Sequence, residues 1–333
     1  MLNLPSSLPV PMKLEHWQTL DSTKLQCYCA CPRQFFYEYV LGWRREYTSN
    51  HLIFGRAWHE ALEHLYKTKF APEEVPVAYE KFLADYRSEL PESTDSWFKG
   101  KTPDNALLAL VEYTKEWAED AYEIDVLDTE VGGKVGIGQD REITVKLDLV
   151  GYRDGKIMAL EHKTGSQAGE TWANQWKLSI QIGAYLHALM ACYPCEGYDP
   201  TIFVNGTFFY AKSRKFLRVA MQRTGAAMLN WLTTVHTLFD QIEGDFAKLA
   251  NCSDSDPVMD AFPMHPTACT SYAGCQYHDL CTCVSNPLRY VGEPITGYTE
   301  YWWDPLAEVK KNMETMDELW NKATAEGCQV FNP

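Results

Sequence analysis

The stretch ITVKLDLVGYRDGKIMALEHKTG, from Ile143 to Gly165, predicts a β-hairpin whose register determines which of its side chains lie together. Its centre, Asp154-Gly155, is typical of a two-residue type I′ turn, because that turn needs positive φ at both central residues. The turn places Arg153 opposite Lys156 and thereby sets the register of the two strands. Since side chains alternate between the two faces of a strand, this register also predicts which residues share a face.

One face of the predicted hairpin carries four charged side chains. Counting back from the turn places Asp148 opposite Glu161 and Lys146 opposite Lys163. Directly opposed carboxylates have Cβ atoms only ~5 Å apart and repel each other, so a cation between them is needed to keep the pair. A hard divalent cation with oxygen ligands meets that need, and Lys163 can then reach a water bound to it. The alternative is an exposed hairpin with mixed charges. The other face is apolar, with Leu147, Leu149, Met158 and Leu160.

Two further motifs precede and follow the hairpin. FGRAWHEALEHLY, which contains His59, lies before it on a predicted helix, and Gln181-Ile-Gly-Ala-Tyr185 lies after it. Gln181 and Tyr185 are four residues apart, so they share one face of a helix. Taken singly, such residues more often serve packing than function. In this order around Asp148 and the run E-H-K-T-G, they resemble the RecB-like branch of the PD-(D/E)XK nucleases.

The resemblance implies an α/β fold, with a restriction-endonuclease-like central mixed sheet flanked by helices. It implies Mg²⁺ or Mn²⁺ held by Asp148 and Glu161 with His59 assisting, and Lys163 orienting the attacking water. Glu130 is the candidate for a further acidic position on an earlier strand. The remaining positions implied for the active site are Gln181 and Tyr185.

The cysteines predict a second metal centre. The chain has eleven, an odd number that fits a disulfide framework poorly. Disulfides also rarely persist in the cytosol, so ligation of a metal or a cluster is the natural alternative. Most of these thiols are grouped, with Cys27, Cys29 and Cys31 near the start and Cys269, Cys275, Cys281 and Cys283 near the end.

The same resemblance extends to these cysteines. STKLQCYCACPRQFFYEYV places Cys31-Pro32 after a helix, and CTSYAGCQYHDLC places Cys269, Cys275 and Cys281 at intervals of six. Bacterial helicase–nuclease subunits and CRISPR-associated RecB-like exonucleases hold a [4Fe–4S] cluster between one early and three late cysteines, which the resemblance implies here. Zinc remains the chemical alternative, because four thiolates also bind zinc. Cys27, Cys29 and Cys283 are spare thiols that leave the ligand set open.

Periodicity and punctuation predict a helical region, then a sheet with a helix packed on it, then a cysteine-rich tail. A continuous helix is expected from Ser22, its N-cap, to Val40, and Asn205-Gly206 leaves open a hairpin in place of one strand. The other predicted helices cover residues 51–69, 77–90, 105–122, 172–192, 224–249 and 306–325. The predicted strands lie within 124–161, 202–211 and 216–221.

Two regions are predicted along the chain. Residues 1–285 form the nuclease domain, and 286–333 form a C-terminal extension with an amphipathic helix. Within the domain, we expect a helical insertion over 70–122, the catalytic sheet core over 123–222 and a cluster-binding segment over 262–285.

Net charge gives little support to a nucleic-acid partner. The formal charge of −15 argues mildly against one, although a local basic stripe can suffice. The candidate stripe for binding DNA is Lys212, Arg214, Lys215 and Arg218. The N-terminus lacks the pattern of a secretory signal and no apolar run is long enough to span a membrane, so a cytoplasmic protein is expected.

The sequence thus predicts a Mg²⁺- or Mn²⁺-dependent deoxyribonuclease, with exonuclease favoured over endonuclease. Its expected partners are DNA and a recombination or replication protein, in the host cytoplasm if phage-encoded. A non-catalytic DNA-binding or scaffolding subunit with the same fold is the alternative. Gly100-Lys101-Thr102 is no phosphate-binding loop, because Asp95 stands where its first glycine is needed, and no helicase phosphate loop is present.

Overall fold

A computed structural model describes residues 2–46, 49–193, 199–270, 274–293, 295–307 and 309–313. The α-helices are α1 (Leu14–Trp17), α2 (Ser22–Ala30), α3 (Pro32–Phe35), α4 (Asn50–Lys67), α5 (Glu74–Arg87), α6 (Pro103–Glu116), α7 (Asp120–Glu123), α8 (Glu170–Asn174), α9 (Ile180–Cys192), α10 (Gly225–Leu249) and α11 (His278–Cys283). The strands are β1 (Trp43–Arg45), β2 (Ile124–Gly138), β3 (Arg141–Arg153), β4 (Lys156–Gly165), β5 (Thr201–Phe209), β6 (Arg214–Met221), β7 (Tyr298–Glu300) and β8 (Lys311–Asn312).

Six strands form a mixed sheet in the order β6-β5-β4-β3-β2-β8. Strands β3 and β4 are antiparallel, β4 and β5 are parallel, and β5 and β6 are antiparallel. The crossover from β4 to the parallel β5 carries α8 and α9, because parallel neighbours need a long connection. The predicted α/β class, with a central mixed sheet flanked by helices, is confirmed.

The chain divides into two compact units, each assembled from separate stretches. The first comprises Met1–Tyr47, Lys134–Val145 and Gly225–Ala307. The second comprises Thr48–Gly133, Lys146–Thr224 and Glu308–Pro333. The predicted catalytic side chains belong to the second unit, and the cysteines predicted to bind a cluster belong to the first.

The predicted hairpin forms with the predicted register. Strand pairing joins Arg153 to Lys156 and continues through Leu149 and Leu160. Asp154 has φ of 53° and Gly155 has φ of 70°, as a type I′ turn requires. The short-range turn signal was sufficient here, because the turn alone sets the register of both strands.

The apolar face of this hairpin packs under α4. Leu149, Met158 and Leu160 share one buried core with the apolar stripe of that helix, which includes Phe54 and Trp58. The stripe repeats at helical spacing, so one side of α4 is covered by the sheet. The packing fixes α4 against β4, and it thereby sets where His59 can reach.

The helix expected over Ser22 to Val40 is broken at Cys31. Cys31 is extended, with φ of −160° and ψ of 109°, because the residue before a proline is sterically excluded from the helical region. Pro32 then starts α3, and residues Phe36–Val40 continue as a π-helix. The N-cap is Asp21 and not Ser22, since its carboxylate accepts hydrogen bonds from the Thr23 and Lys24 backbone N–H groups.

Other boundaries shift for local reasons. The helix expected over residues 172–192 is two helices, with Ser179 capping the second through its hydroxyl. The strand across Asn205-Gly206 is continuous, and a Cβ at Gly206 would lie 2.6 Å from the ring of Trp172, so glycine there permits close packing. The helix expected to start at Leu306 does not: Leu306 lies in a turn and Lys311–Asn312 is a strand beside β2. Residues 314–325 of that prediction lie outside the described residues.

No helix within the described part of the chain is both long enough and apolar enough to cross a membrane.

Candidate active site

Asp148 and Glu161 lie on the two adjacent strands of the hairpin, next to the point where the pairing of those strands ends. The backbone N–H of His162 donates to Asp148 Oδ2 at 2.7 Å, so the strand itself orients this carboxylate. Both carboxylates are buried, with exposures of 8% for Asp148 and 2% for Glu161. Two buried acids so close together need a positive partner, as the sequence predicted.

His59 supplies part of the positive charge that these two acids need. Its Nδ1 lies 3.4 Å from Asp148 Oδ1, while Nε2 lies 2.9 Å from the carbonyl oxygen of His162. In the protonated ring, Nε2–H donates to the carbonyl and Nδ1–H faces the carboxylate, and a bound cation would replace the Nδ1 proton. This is the arrangement of metal-binding histidines, whose second nitrogen usually donates to a carbonyl or carboxylate.

Glu130 joins these two residues. A ligand atom from each of His59, Glu130 and Asp148 lies within 4.8 Å of the other two, which fits a single small cation. Glu130 reaches the site from a left-handed backbone conformation within β2, with φ of 49°. The Lys146 ammonium lies 2.7 Å from its carboxylate. From the sequence, Glu130 was a weaker candidate for a metal ligand than Glu161, because nothing local to residue 130 signals that backbone conformation.

Glu161 is held directly by two side chains, and a third supports one of them. Its Oε1 receives a hydrogen bond from Gln181 Nε2 at 3.0 Å and forms an ion pair with the Lys163 ammonium. Gln181 also donates to the Tyr185 hydroxyl at 2.7 Å, as their four-residue spacing suggested. Glu161 Oε2 is buried and has no hydrogen-bond partner among the described residues. A buried carboxylate oxygen without a partner is costly and fits a further metal ligand.

The charges of Glu130, Asp148 and His59 shift one another's pKa values. Burial and the charge of Asp148 raise the pKa of Glu130 to about 7. Burial alone would raise the pKa of Asp148, but the charge and hydrogen bond of His59 outweigh it and hold that pKa below its ordinary range. Against the effect of burial, Asp148 also raises the pKa of His59 to about 9. The carboxylates therefore create a strong preference for positive charge at this point.

His162 is a neighbour that the sequence did not single out. It is 4% exposed, and burial lowers its pKa to about 3, so it is neutral. Its ring packs beside Tyr66 and Tyr113, and it presents its backbone groups to both His59 and Asp148. Its position between two motif residues was visible in the sequence, but its role depends on backbone atoms that carry no sequence signal.

The predicted basic stripe on β6 is heterogeneous. Arg214 donates to Glu112 at 2.8 Å, and Arg218 donates to the buried Asp120 at 2.8 Å, so carboxylates hold both guanidinium groups. Lys212 and Lys215 are exposed. A role of this stripe in binding DNA stays a prediction, and it rests on the two lysines.

In the first unit, the thiols of Cys31, Cys269 and Cys275 are near enough to Cys281 to influence it electrostatically. Burial raises the pKa of Cys281 to about 11, and the other three thiols each add to the increase. The His265 backbone N–H donates to Cys31 Sγ at 3.4 Å. None of the nine described cysteines forms a disulfide. The spare Cys27 is also near, because Cys31 and Cys275 contribute to the increase in its pKa.

Comparison with known proteins identifies one family. The family model of the PD-(D/E)XK nuclease superfamily matches residues 20–282. A search of curated proteins found no match. Among solved structures, one titled "Crystal structure of SSO0001" is similar, with 12% identity, a TM-score of 0.30, and coverage of 69% of this chain and 78% of that chain. The six-stranded mixed sheet with flanking helices agrees with the restriction-endonuclease-like fold of the matching superfamily.

Proposed function

The chain belongs to the PD-(D/E)XK nuclease superfamily, and we propose that it is a metal-dependent deoxyribonuclease of the RecB-like branch. Its substrate is the phosphodiester backbone of DNA, and we favour exonuclease over endonuclease action. The observation that carries the proposal is the convergence of His59, Glu130 and Asp148 on one point, together with a buried Glu161 Oε2 that has no hydrogen-bond partner among the described residues. A cluster of buried acids with only a structural role is not expected to direct three ligand atoms at one point.

The residues fit Mg²⁺ or Mn²⁺. Carboxylate oxygens suit both ions, and one imidazole beside them is compatible with Mn²⁺ in particular. His59, Glu130 and Asp148 would hold the ion, with Glu161 as a further ligand. A divalent cation there supplies Lewis-acid polarisation of the scissile phosphate and a bound water of lowered pKa.

The protein side chains supply orientation and charge. The Lys163 ammonium, which lies beside Glu161, would orient the attacking water and offset the negative charge that develops on the phosphate. Gln181 and Tyr185 hold Glu161 in place and act on the reaction through it. Lys212 and Lys215 would contact the DNA backbone.

We also propose a [4Fe–4S] cluster on Cys31, Cys269, Cys275 and Cys281, with zinc as the alternative. Burial raises the pKa of Cys275 and Cys281, and the neighbouring thiols add to that increase, so a cation that binds the thiolate forms would stabilise them. The N–H group directed at Cys31 Sγ is of the kind that stabilises bound cluster sulfurs. This centre is structural in the proposal, in a cytoplasmic enzyme of DNA recombination, repair or phage replication.

Digestion of end-labelled DNA tests the proposed activity. With Mg²⁺ or Mn²⁺, linear duplex and single-stranded DNA should be degraded from an end, while closed circular DNA of the same sequence should resist. Robust cutting of the circle would establish an endonuclease. Absence of hydrolysis on every substrate with either ion would contradict the proposed function.

A further inference from the structure

Lys101 is a buried cation close to the active strand. It is 8% exposed, and its ammonium donates to the Thr164 hydroxyl at 2.7 Å. Thr164 directly follows Lys163 at the end of β4. The face of the Phe54 ring lies 5.8 Å from the same ammonium. A hydroxyl, the Thr164 carbonyl oxygen at a long 3.5 Å and an aromatic ring are weak partners for a full positive charge removed from water.

Within the described part of the chain, no carboxylate compensates this charge. Burial lowers the pKa of Lys101 to about 8, and no acidic group among the described residues opposes that effect. The buried Lys24, in the other unit, is different: its ammonium donates to the carbonyl oxygens of His16 at 2.8 Å and Thr19 at 2.7 Å, and Asp21 and Asp304 oppose its desolvation. Lys24 is therefore a satisfied structural lysine, whereas Lys101 retains an uncompensated charge.

The backbone that carries Lys101 is fixed on both sides. The Asn50 side chain donates to the Lys101 carbonyl oxygen at 3.2 Å, and Asn105 donates to the Gly100 carbonyl oxygen at 2.8 Å. A Cβ at Gly100 would lie 2.6 Å from the Phe209 carbonyl oxygen, so glycine allows this segment to pack directly on β5. A costly cation on a rigidly held segment indicates preorganisation for an anion.

The location identifies the anion. Lys163 and Thr164 point to opposite faces of β4, so the two ammonium groups lie on either side of the end of the same strand. We propose that Lys101 binds a phosphate of the DNA strand that the active site cleaves. This inference rests on the proposed function, and it gives the substrate strand a second point of attachment at the end of the strand that carries the catalytic lysine. Bound phosphate would then supply the negative charge that the protein lacks around Lys101.

The test measures DNA binding without cleavage. Fluorescence anisotropy of a labelled oligonucleotide, titrated in a chelating buffer at several salt concentrations, gives the affinity and its salt dependence. For Lys101→Met we expect roughly tenfold weaker binding, as for loss of one charge-assisted hydrogen bond. The slope of log K against log salt should fall by about 1, as for loss of one phosphate contact. The unfolding midpoint should equal or exceed that of the wild type, because an uncompensated buried charge has been removed.

Two variants separate this role from a structural one. Lys24→Met should lower the unfolding midpoint and leave the salt slope unchanged. Thr164→Val should keep the wild-type salt slope, because the hydroxyl is not the DNA ligand. The proposal is overturned if Lys101→Met keeps the wild-type slope, if it destabilises the protein as Lys24→Met does, or if Thr164→Val reproduces its loss of affinity.

Oligonucleotides with and without a terminal phosphate show whether Lys101 binds a terminal or an internal phosphate. If removing the terminal phosphate abolishes the difference between wild type and Lys101→Met, Lys101 binds the strand terminus. If the difference persists, Lys101 binds an internal phosphate. Both results support the phosphate site, and neither depends on hydrolysis, so a protein that binds but does not cleave contradicts only the proposed function.

Discussion

His59 and Glu130 convert an opposed pair of acids into a site for a cation. Asp148 alone is neutralised by His59 and by the His162 backbone N–H, which explains its lowered pKa. Glu130 adds a second carboxylate, whose pKa is raised by burial and by the charge of Asp148. A divalent ion would stabilise the ionised form of both carboxylates, because it places two positive charges between them.

Glu130→Gln tests whether this residue is a ligand. Replacing the carboxylate with an amide keeps the shape but removes a charged oxygen ligand, so Mn²⁺ affinity measured by calorimetry should fall at least about tenfold. Glu142→Gln is the matched control, because Glu142 is exposed on the neighbouring strand β3. Equal Mn²⁺ affinity in wild type and Glu130→Gln would remove Glu130 from the metal site.

Among the elements, α2 shows how much one capping side chain contributes. The Asp21 carboxylate accepts the Thr23 and Lys24 backbone N–H groups and is itself buried. Asp21→Ala should lower the free energy of unfolding of the unit that contains α2 by about 1 kcal/mol, measured by urea denaturation. Asp21→Asn keeps an oxygen acceptor and should lose less. If Asp21→Ala keeps the wild-type free energy of unfolding, the cap has no measurable role.

The hairpin was predictable because its determinants are local. Asp154-Gly155 selects the turn, the turn selects the register, and the register places Asp148 beside the strand of Glu161 and Lys163. The helix that carries His59 and the pairing of Gln181 with Tyr185 were predictable for the same reason. These features depend on neighbours within a few residues, which the sequence displays.

Other features depended on contacts or conformations that the sequence does not display. The break at Cys31 follows from Pro32, a local signal that the helical periodicity obscured. Glu130 enters the site through a positive φ that its residue type does not indicate. The ion pair between Arg218 and the buried Asp120 was not predictable from local signals either, because it joins residues far apart in the chain.

For the molecule as a whole, the cysteine centre predicts a link between metal content and stability. Among its described residues, the segment that carries Cys269, Cys275 and Cys281 has only short helical elements such as α11, so ligation to a common centre would stabilise it. Anaerobically purified protein should be brown and contain iron and sulfide. Cys31→Ala should lose the iron and lower the thermal midpoint, because the early ligand is lost.

Cys192→Ala provides the control for that experiment. Cys192 is buried at the end of α9, in the other unit, so its loss should leave colour and iron content unchanged. Stoichiometric zinc without iron would replace the cluster by a zinc site. If the anaerobically purified wild-type protein contains no metal and has the same thermal midpoint as Cys31→Ala, the proposed centre is contradicted.

The most direct measurement is hydrolysis of end-labelled linear DNA by the wild-type protein and by Lys163→Ala and Asp148→Ala, each with Mn²⁺ and with a chelator. The site geometry predicts release of nucleotides by the wild type only with the metal ion, and no release by either variant, although circular dichroism should show both variants folded. Hydrolysis by a folded Lys163→Ala or Asp148→Ala protein, or by the wild type in the presence of chelator, would contradict the assignment of this site as a metal-dependent nuclease centre.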